Sequence, residues 1–225
     1  MPDSIPGSEG MKFATLPQGI QEEAMGVLQS ERLVMCAGLA LAVTSCGEQT
    51  PSPTNIVVEQ RSAKVADAFQ ETLQGELKAA LKQGGPIMAA SVCSEAAPAI
   101  AKTQSEDSGA EVRRVALRNR SPGAQVTANM RPHYDTLAKA PLVNGLPATR
   151  IWKTHSADGE RINFMRAVPM QEKPCAACHG TDVAPDVANH IRTLYPDDRA
   201  TGFSPGEMRG AIVISWSKSS LVAGD

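Results

Sequence analysis

The stretch KPCAACHG, residues 173–180, constrains this chain more than any other segment. It holds Cys175, Cys178 and His179 in the spacing C-x-x-C-H. Two thiols at this distance reach two vinyl groups along one porphyrin edge. A histidine directly after the second thiol then lies beneath the iron, so the spacing signals a covalently attached haem with one axial ligand supplied. With 5 cysteines and 4 histidines among 225 residues, chance produces about 0.002 such matches, too few to explain the motif. A fold that carries it must wrap a flat apolar disc and account for the second face of the iron.

Two other chemistries use closely spaced cysteines. A structural zinc site needs four ligands in tetrahedral reach, and the motif offers three with no second C-x-x-C pair. A thioredoxin-type dithiol opens a helix after a strand within a βαβ unit, and no such unit is legible here. Haem, one copy of haem c, is the expected cofactor. The rest of the composition is that of an ordinary globular domain, 42% hydrophobic and 20% charged. A net charge of −2 gives no electrostatic basis for binding nucleic acid. Aromatic residues are scarce at 4%, and a buried cofactor would supply apolar bulk that they do not.

Residues 33–43, LVMCAGLALAV, form an uncharged run too short to span a bilayer but suited to the core of a signal peptide. The run ends in VTSC, and small residues before Cys46 resemble a bacterial lipobox, which implies cleavage before Cys46 and its lipidation. Gly47 after that cysteine favours outer-membrane sorting. Thirty-one residues precede Arg32–Leu33, and translation from Met25 would give a leader of ordinary length. The polar, Pro-rich GEQTPSPTN that follows suits a flexible tether. The expected organisation is a leader over 1–46, a linker over 47–60, a haem domain over 61–218 and a tail over 219–225. The expected location is periplasmic, with the membrane reached through the lipid anchor alone. The leader ahead of Cys46 carries five acids and two bases, so the remaining chain has a net charge of +1 (−2 + 3).

Cysteine usage sharpens the picture. Cys36 leaves with the leader, Cys46 takes lipid, and Cys175 and Cys178 take haem, which leaves Cys93 alone. A lone thiol in an oxidising compartment is a liability unless buried or coordinated.

The mature chain reads as α+β. Val65, Phe69, Leu73, Leu77 and Leu81 form one face of a helix over 61–83, which Gly84-Gly85 ends. Pro86 opens a second helix to about Ser105, with Ile87, Ala90, Cys93, Ala97 and Ile100 on one face. Residues 111–118 resemble a strand and 128–140 a short helix. Residues 149–155 and 161–169 resemble strands joined by the hairpin signal SADG. A helix over 184–194, a long loop over 195–210 and a β-branched strand over 211–216 complete the chain.

The second axial ligand has several candidates: Cys93, His133, His155, His190, Met165, Met170 and Met208. Methionine is the usual choice in small cytochromes c, although methionines in apolar runs are more often core, and His133, His155 and His190 are expected at the surface. MAASVCSEAAPAIA (88–101), VRRVALRNRSP (112–122), PCAACHG (174–180) and YPDDRATGFSPGEMRGAIVIS (195–215) occur together in this order. In these segments the chain resembles the Tll-type c-type haem domain family, over about residues 60–218. The resemblance implies a PAS-like antiparallel sheet behind N-terminal helices, with His179 as proximal and Cys93 as distal ligand. Thiolate ligation donates charge to the iron and lowers its potential below that of a Met-ligated cytochrome. Arg113, Arg114 and Arg118 are candidate partners for the haem propionates, since guanidinium pairs well with carboxylate; a solvated strand face is the plain alternative.

Two functions fit. One is a haem-based redox or gas sensor that signals to a partner protein. The other is a membrane-tethered electron carrier that meets a redox partner. Relatives in this family are often fused to signalling domains, which favours the first. An enzyme such as a peroxidase is not expected, because it needs an open iron position and a distal acid–base group.

Overall fold

Four antiparallel strands form the centre of the protein in the computed structural model, which describes residues 53–222. The leader with Cys36 and Cys46 lies outside the described residues. In chain order the elements are α1 (Pro53–Ser108), β1 (Glu111–Val115), a 3-10 turn (Pro122–Ala124), α2 (Arg131–Lys139), β2 (Leu142–Val143) and β3 (Leu146–Pro147). These are followed by β4 (Thr149–Ser156), β5 (Gly159–Pro169), α3 (Ala176–His179), α4 (Pro185–Leu194), β6 (Met208–Ser217) and α5 (Lys218–Val222). The main sheet has the order β1-β6-β5-β4, and β2 pairs only with β3. Among the described residues no helix is long and apolar enough to cross a membrane.

The sheet is buried on both faces, and strand alternation assigns residues to each. Val112, Ile162, Phe164, Ile212, Ile214 and Trp216 face α1, where Val58, Ala66 and Phe69 pack on them. Met165, Ala167, Ala211 and Val213 point the other way, against Tyr134 and Leu137 of α2. Successive side chains of a strand alternate faces, so burial on both sides makes short runs apolar at every position, Phe164-Met165 and Ala167-Val168 in β5 and residues 211–214 in β6. Registers such as Phe164↔Ile214 and Val112↔Ile214 place the last strand between the first and the hairpin. The expected PAS-like α+β arrangement, helices ahead of an antiparallel sheet, is the one observed.

α1 is two helices in one span. Gly85 has φ 69°, ψ −162°, a conformation open to glycine and not to side-chain-bearing residues, and the axis breaks there as the Gly84-Gly85 signal predicts. Three expectations change. The linker assigned to 47–60 is helical from Pro53, because proline suits a first turn and Val58, fully buried, anchors that turn on the sheet. The tail assigned to 219–225 begins as helix α5. Ser217 caps it reciprocally, its Oγ accepting from the Ser220 amide (3.0 Å) while Ser220 Oγ accepts from the Ser217 amide (3.1 Å). Arg61 then donates to the Leu221 carbonyl at 2.6 Å, tying α5 to α1. The β2–β3 hairpin was not anticipated, although its Asn144-Gly145 turn, both residues at positive φ, is a strong hairpin signal.

Candidate haem site

The C-x-x-C-H motif is a single helical turn, α3, lying between the end of β5 and a loop over residues 195–207. One turn cannot hold itself in place, so its rigidity comes from neighbours. The Phe203 amide donates to the His179 carbonyl (2.9 Å), and the Gly202 amide donates to the Gly180 carbonyl (2.8 Å). Arg120 donates to the Cys178 carbonyl at 2.7 Å and pairs with Asp198 at 3.0 Å, with both side chains only 6% exposed. Arg118 pins the same loop. It lies 3.4 Å from the Phe203 ring centre, donates to the Gly202 carbonyl and pairs with Glu207 at 3.7 Å. The stretches RNR and YPDDRATGFSPGE therefore build one cradle around the motif.

His179 is oriented within that cradle. Its Nδ1 lies 2.6 Å from the Ala200 carbonyl, which only accepts, so Nδ1 carries the proton and Nε2 keeps a free lone pair. Burial, then the charges of Arg209 and Arg120, hold its pKa well below the ordinary histidine value, against the opposing Ala200 hydrogen bond. The imidazole is thus neutral, the form that ligates metal.

Two cavities, of about 420 and 140 Å³, share Cys93, Arg114, His179 and Arg209 in their walls. The smaller is apolar. Leu73, Leu77 and Leu81 of α1 line it, together with Cys175 and Cys178. The helical stripe identified in the sequence thus runs off the sheet and continues as cavity wall. The larger cavity adds Arg113, Arg120, Lys102, Tyr195 and the Ala97 turn of α1. Burial raises the Cys178 thiol pKa, with Arg120 opposing.

One charge here has no counterpart in the sequence reading. Arg209 is 8% exposed, and its Nε has no hydrogen-bond partner. Its pKa falls to about 9, mainly from burial and then from Arg114 and Arg120 nearby. Arg120 also leaves one terminal nitrogen unpartnered. Such groups are costly when buried alone, so the wall asks for an anion. The signal available in sequence was Arg209 within MRGAIVIS, a cation opening a strand otherwise apolar to Ile214.

These features fit a haem: an apolar slot with both motif cysteines on its wall, a neutral imidazole with Nε2 free, and unpaired guanidinium nitrogens at the wider end. Of the residues expected from sequence, Cys93, Cys175, Cys178 and His179 come together, as do Arg114 and, at the larger cavity, Arg113. Arg118 does not line either cavity, because the loop uses its guanidinium. The other axial candidates have other partners. Met165, Met170 and Met208 are core residues. His133, expected at the surface, is half-buried and stacks on Trp152 with ring centres 4.3 Å apart. His155 pairs with Glu160, and His190 Nε2 lies 3.2 Å from Ser91 Oγ, half-buried rather than free at the surface. Among the described residues, no group of three or more His, Cys, Asp or Glu is placed to hold a bare metal ion.

The comparisons agree with this reading of the fold. No curated protein matches the chain. The crystal structure of the cyanobacterial heme-protein Tll0287 is similar at 21% identity and a TM-score of 0.55, with 75% of this chain and 98% of that one covered. The model of the Tll0287-like family matches residues 52–217. That span includes every element from α1 to the end of β6, the cradle and both cavities, and the chain belongs to the Tll0287-like family.

Proposed function

We propose that this chain is an exported haem c protein with His179 and Cys93 as axial ligands, acting as a low-potential haem redox or gas sensor. One observation carries the reading. A half-buried imidazole with Nε2 free and a thiol from α1 line the same pair of cavities, the smaller of which also has Cys175 and Cys178 in its wall. The cyanobacterial relative's description as a heme-protein supports the cofactor. The bound iron would supply one-electron redox and gas-binding chemistry.

The protein's own part is ligation and relay. Cys175 and Cys178 would hold the porphyrin edge, His179 is kept neutral by burial and by Arg209 and Arg120 while Ala200 fixes its tautomer, and Arg114 and Arg209 would meet the propionates. Cys93 would supply the second ligand, and sulfur ligation there would disfavour reduction. Cys93 sits two turns past the Gly84-Gly85 break, on the half of α1 whose Ala90 packs against Val187 and Ile191 of α4. Its release would reach the surface through that contact. A peroxidase would need an open iron position, which Cys93 would fill on this reading.

The deciding measurement is electron paramagnetic resonance of the ferric holoprotein beside Cys93→Ala. A low-spin thiolate signal is expected in the parent and its loss in the variant; an unchanged signal eliminates Cys93. Binding of carbon monoxide or nitric oxide on reduction supports the sensor. Rapid reversible electron exchange with no gas binding assigns the chain to electron transfer instead.

A further inference from the structure

Large apolar side chains cluster in the open at one edge of the domain. The β2–β3 hairpin exposes Leu142, Val143 and Leu146, the last at 70%, the most exposed large hydrophobic residue described. Ile56 and Val57, in the first turns of α1, are exposed as well. The two sets are linked: Thr149, two residues past the hairpin, donates to Glu59 Oε1 at 3.1 Å. Ile56 lies one turn before Glu59 on the same helix face. A hairpin stem of only two residues per strand gains little from its own pairing, so three exposed apolar residues there are a cost that folding alone does not explain.

Charge and chain length indicate what covers this edge. Residues 136–150 carry Lys139 and Arg150, both exposed, and no acid, while the adjoining turn of α1 adds one carboxylate, Glu59, which accepts from Thr149. Six residues, 47–52, separate the lipobox-like Cys46 from Pro53. Whatever their conformation, seven peptide steps reach at most ~25 Å, so an acylated Cys46 keeps the start of α1 close to the bilayer. Tethering at that range makes docking intramolecular, and even weak contacts then count.

The geometry points to a membrane-docking edge: the β2–β3 hairpin (Leu142, Val143, Leu146), with Ile56 and Val57 beside it, seats in the interface of an anionic phospholipid bilayer, while Lys139 and Arg150 meet the headgroups. Such an edge holds the anchored domain in one orientation. It rests on the proposed lipidation of Cys46, and the test separates the two.

Full-length protein carrying Leu146→Trp is prepared in vesicles of phosphatidylethanolamine and phosphatidylglycerol, with and without bromine on the acyl chains near the headgroup. Mass spectrometry reads acylation of Cys46 in the same sample. An Asn189→Trp control places the probe on α4, which packs against the far half of α1. Interfacial side chains penetrate ~5–10 Å, within reach of such bromines. Loss of Leu146→Trp fluorescence, with none for Asn189→Trp, is the expected result. Equal response at both positions overturns docking even if Cys46 is acylated. Quenching at Leu146→Trp with no acyl group on Cys46 upholds docking and removes the anchor. A lipid-free Cys46→Ser dimer that Leu142→Ser/Leu146→Ser dissociates would assign the edge to a second copy of the chain and overturn the lipid reading.

Discussion

Replacing Arg209 with methionine should stabilise the haem-free protein and weaken the haem-loaded one. Arg209 is almost fully buried, its Nε has no partner, and Arg114 and Arg120 are its near neighbours. Its pKa falls from the ordinary arginine range to about 9. A depression of that size corresponds to ~5 kcal/mol of unfavourable charge burial. Relaxation and the nearby Phe203 ring reduce this, and replacing buried charges with packed apolar groups typically gains ~1–4 kcal/mol. The sign follows from linkage. The unfolded chain holds the proton to a much higher pH than the folded chain, which holds it only to about 9, so the cost is complete below pH 9 and fades as pH rises beyond it. The assay is urea unfolding at pH 7 of the Cys175→Ser/Cys178→Ser chain, which takes up no covalent haem, with and without Arg209→Met. With a slope of ~2 kcal/mol/M the midpoint should rise by ~0.5–2 M. In the haem-loaded protein the same substitution removes a propionate partner, and the midpoint should fall. A haem-free Arg209→Met protein no more stable than its parent would refute the account of Arg209 as a cation awaiting an anion.

Other outcomes follow from the same contacts. Asp198→Ala strands Arg120 beneath the motif and should cost ~3–5 kcal/mol in urea unfolding, with slower covalent haem attachment because the Cys178 carbonyl loses its fixed donor. Ser62→Ala leaves the buried Trp216 Nε1 without its 2.8 Å acceptor and should cost ~1–3 kcal/mol, with a shift in tryptophan emission. Gly210→Ala would put a Cβ 2.8 Å from the Val115 carbonyl oxygen, so β1 and β6 must separate; a loss of ~1–3 kcal/mol is expected, together with an altered haem absorption spectrum, because Gly210 also lines the larger cavity. Cys93→Ala in the haem-free chain should change stability by no more than ~1 kcal/mol, since the side chain is only half-buried; a large loss would make Cys93 a packing residue.

Much of this protein was readable from local pattern. Helical spacing identified the leucine stripe of α1, Gly84-Gly85 its break, SADG the β4–β5 hairpin, and β-branched residues the last strand, because each depends on neighbours within a few positions. The C-x-x-C-H spacing pointed to haem for the same reason, as both thiols and the imidazole share one turn. Sequence also singled out Cys93, by elimination among five cysteines and by family resemblance. Only the tertiary structure could bring Cys93 to the same cavities as His179, 86 positions away (179 − 93), because helix α1 and the 195–207 loop meet only through packing on the sheet. It also divided the arginines. Arg118 and Arg120 look like Arg114 in sequence, but they brace a loop some eighty residues downstream, while Arg209, at the head of an apolar strand, is almost fully buried with its Nε unpartnered. A guanidinium's role depends on which oxygen stands within about 3 Å of it, and that distance is decided only when distant parts of the chain fold together.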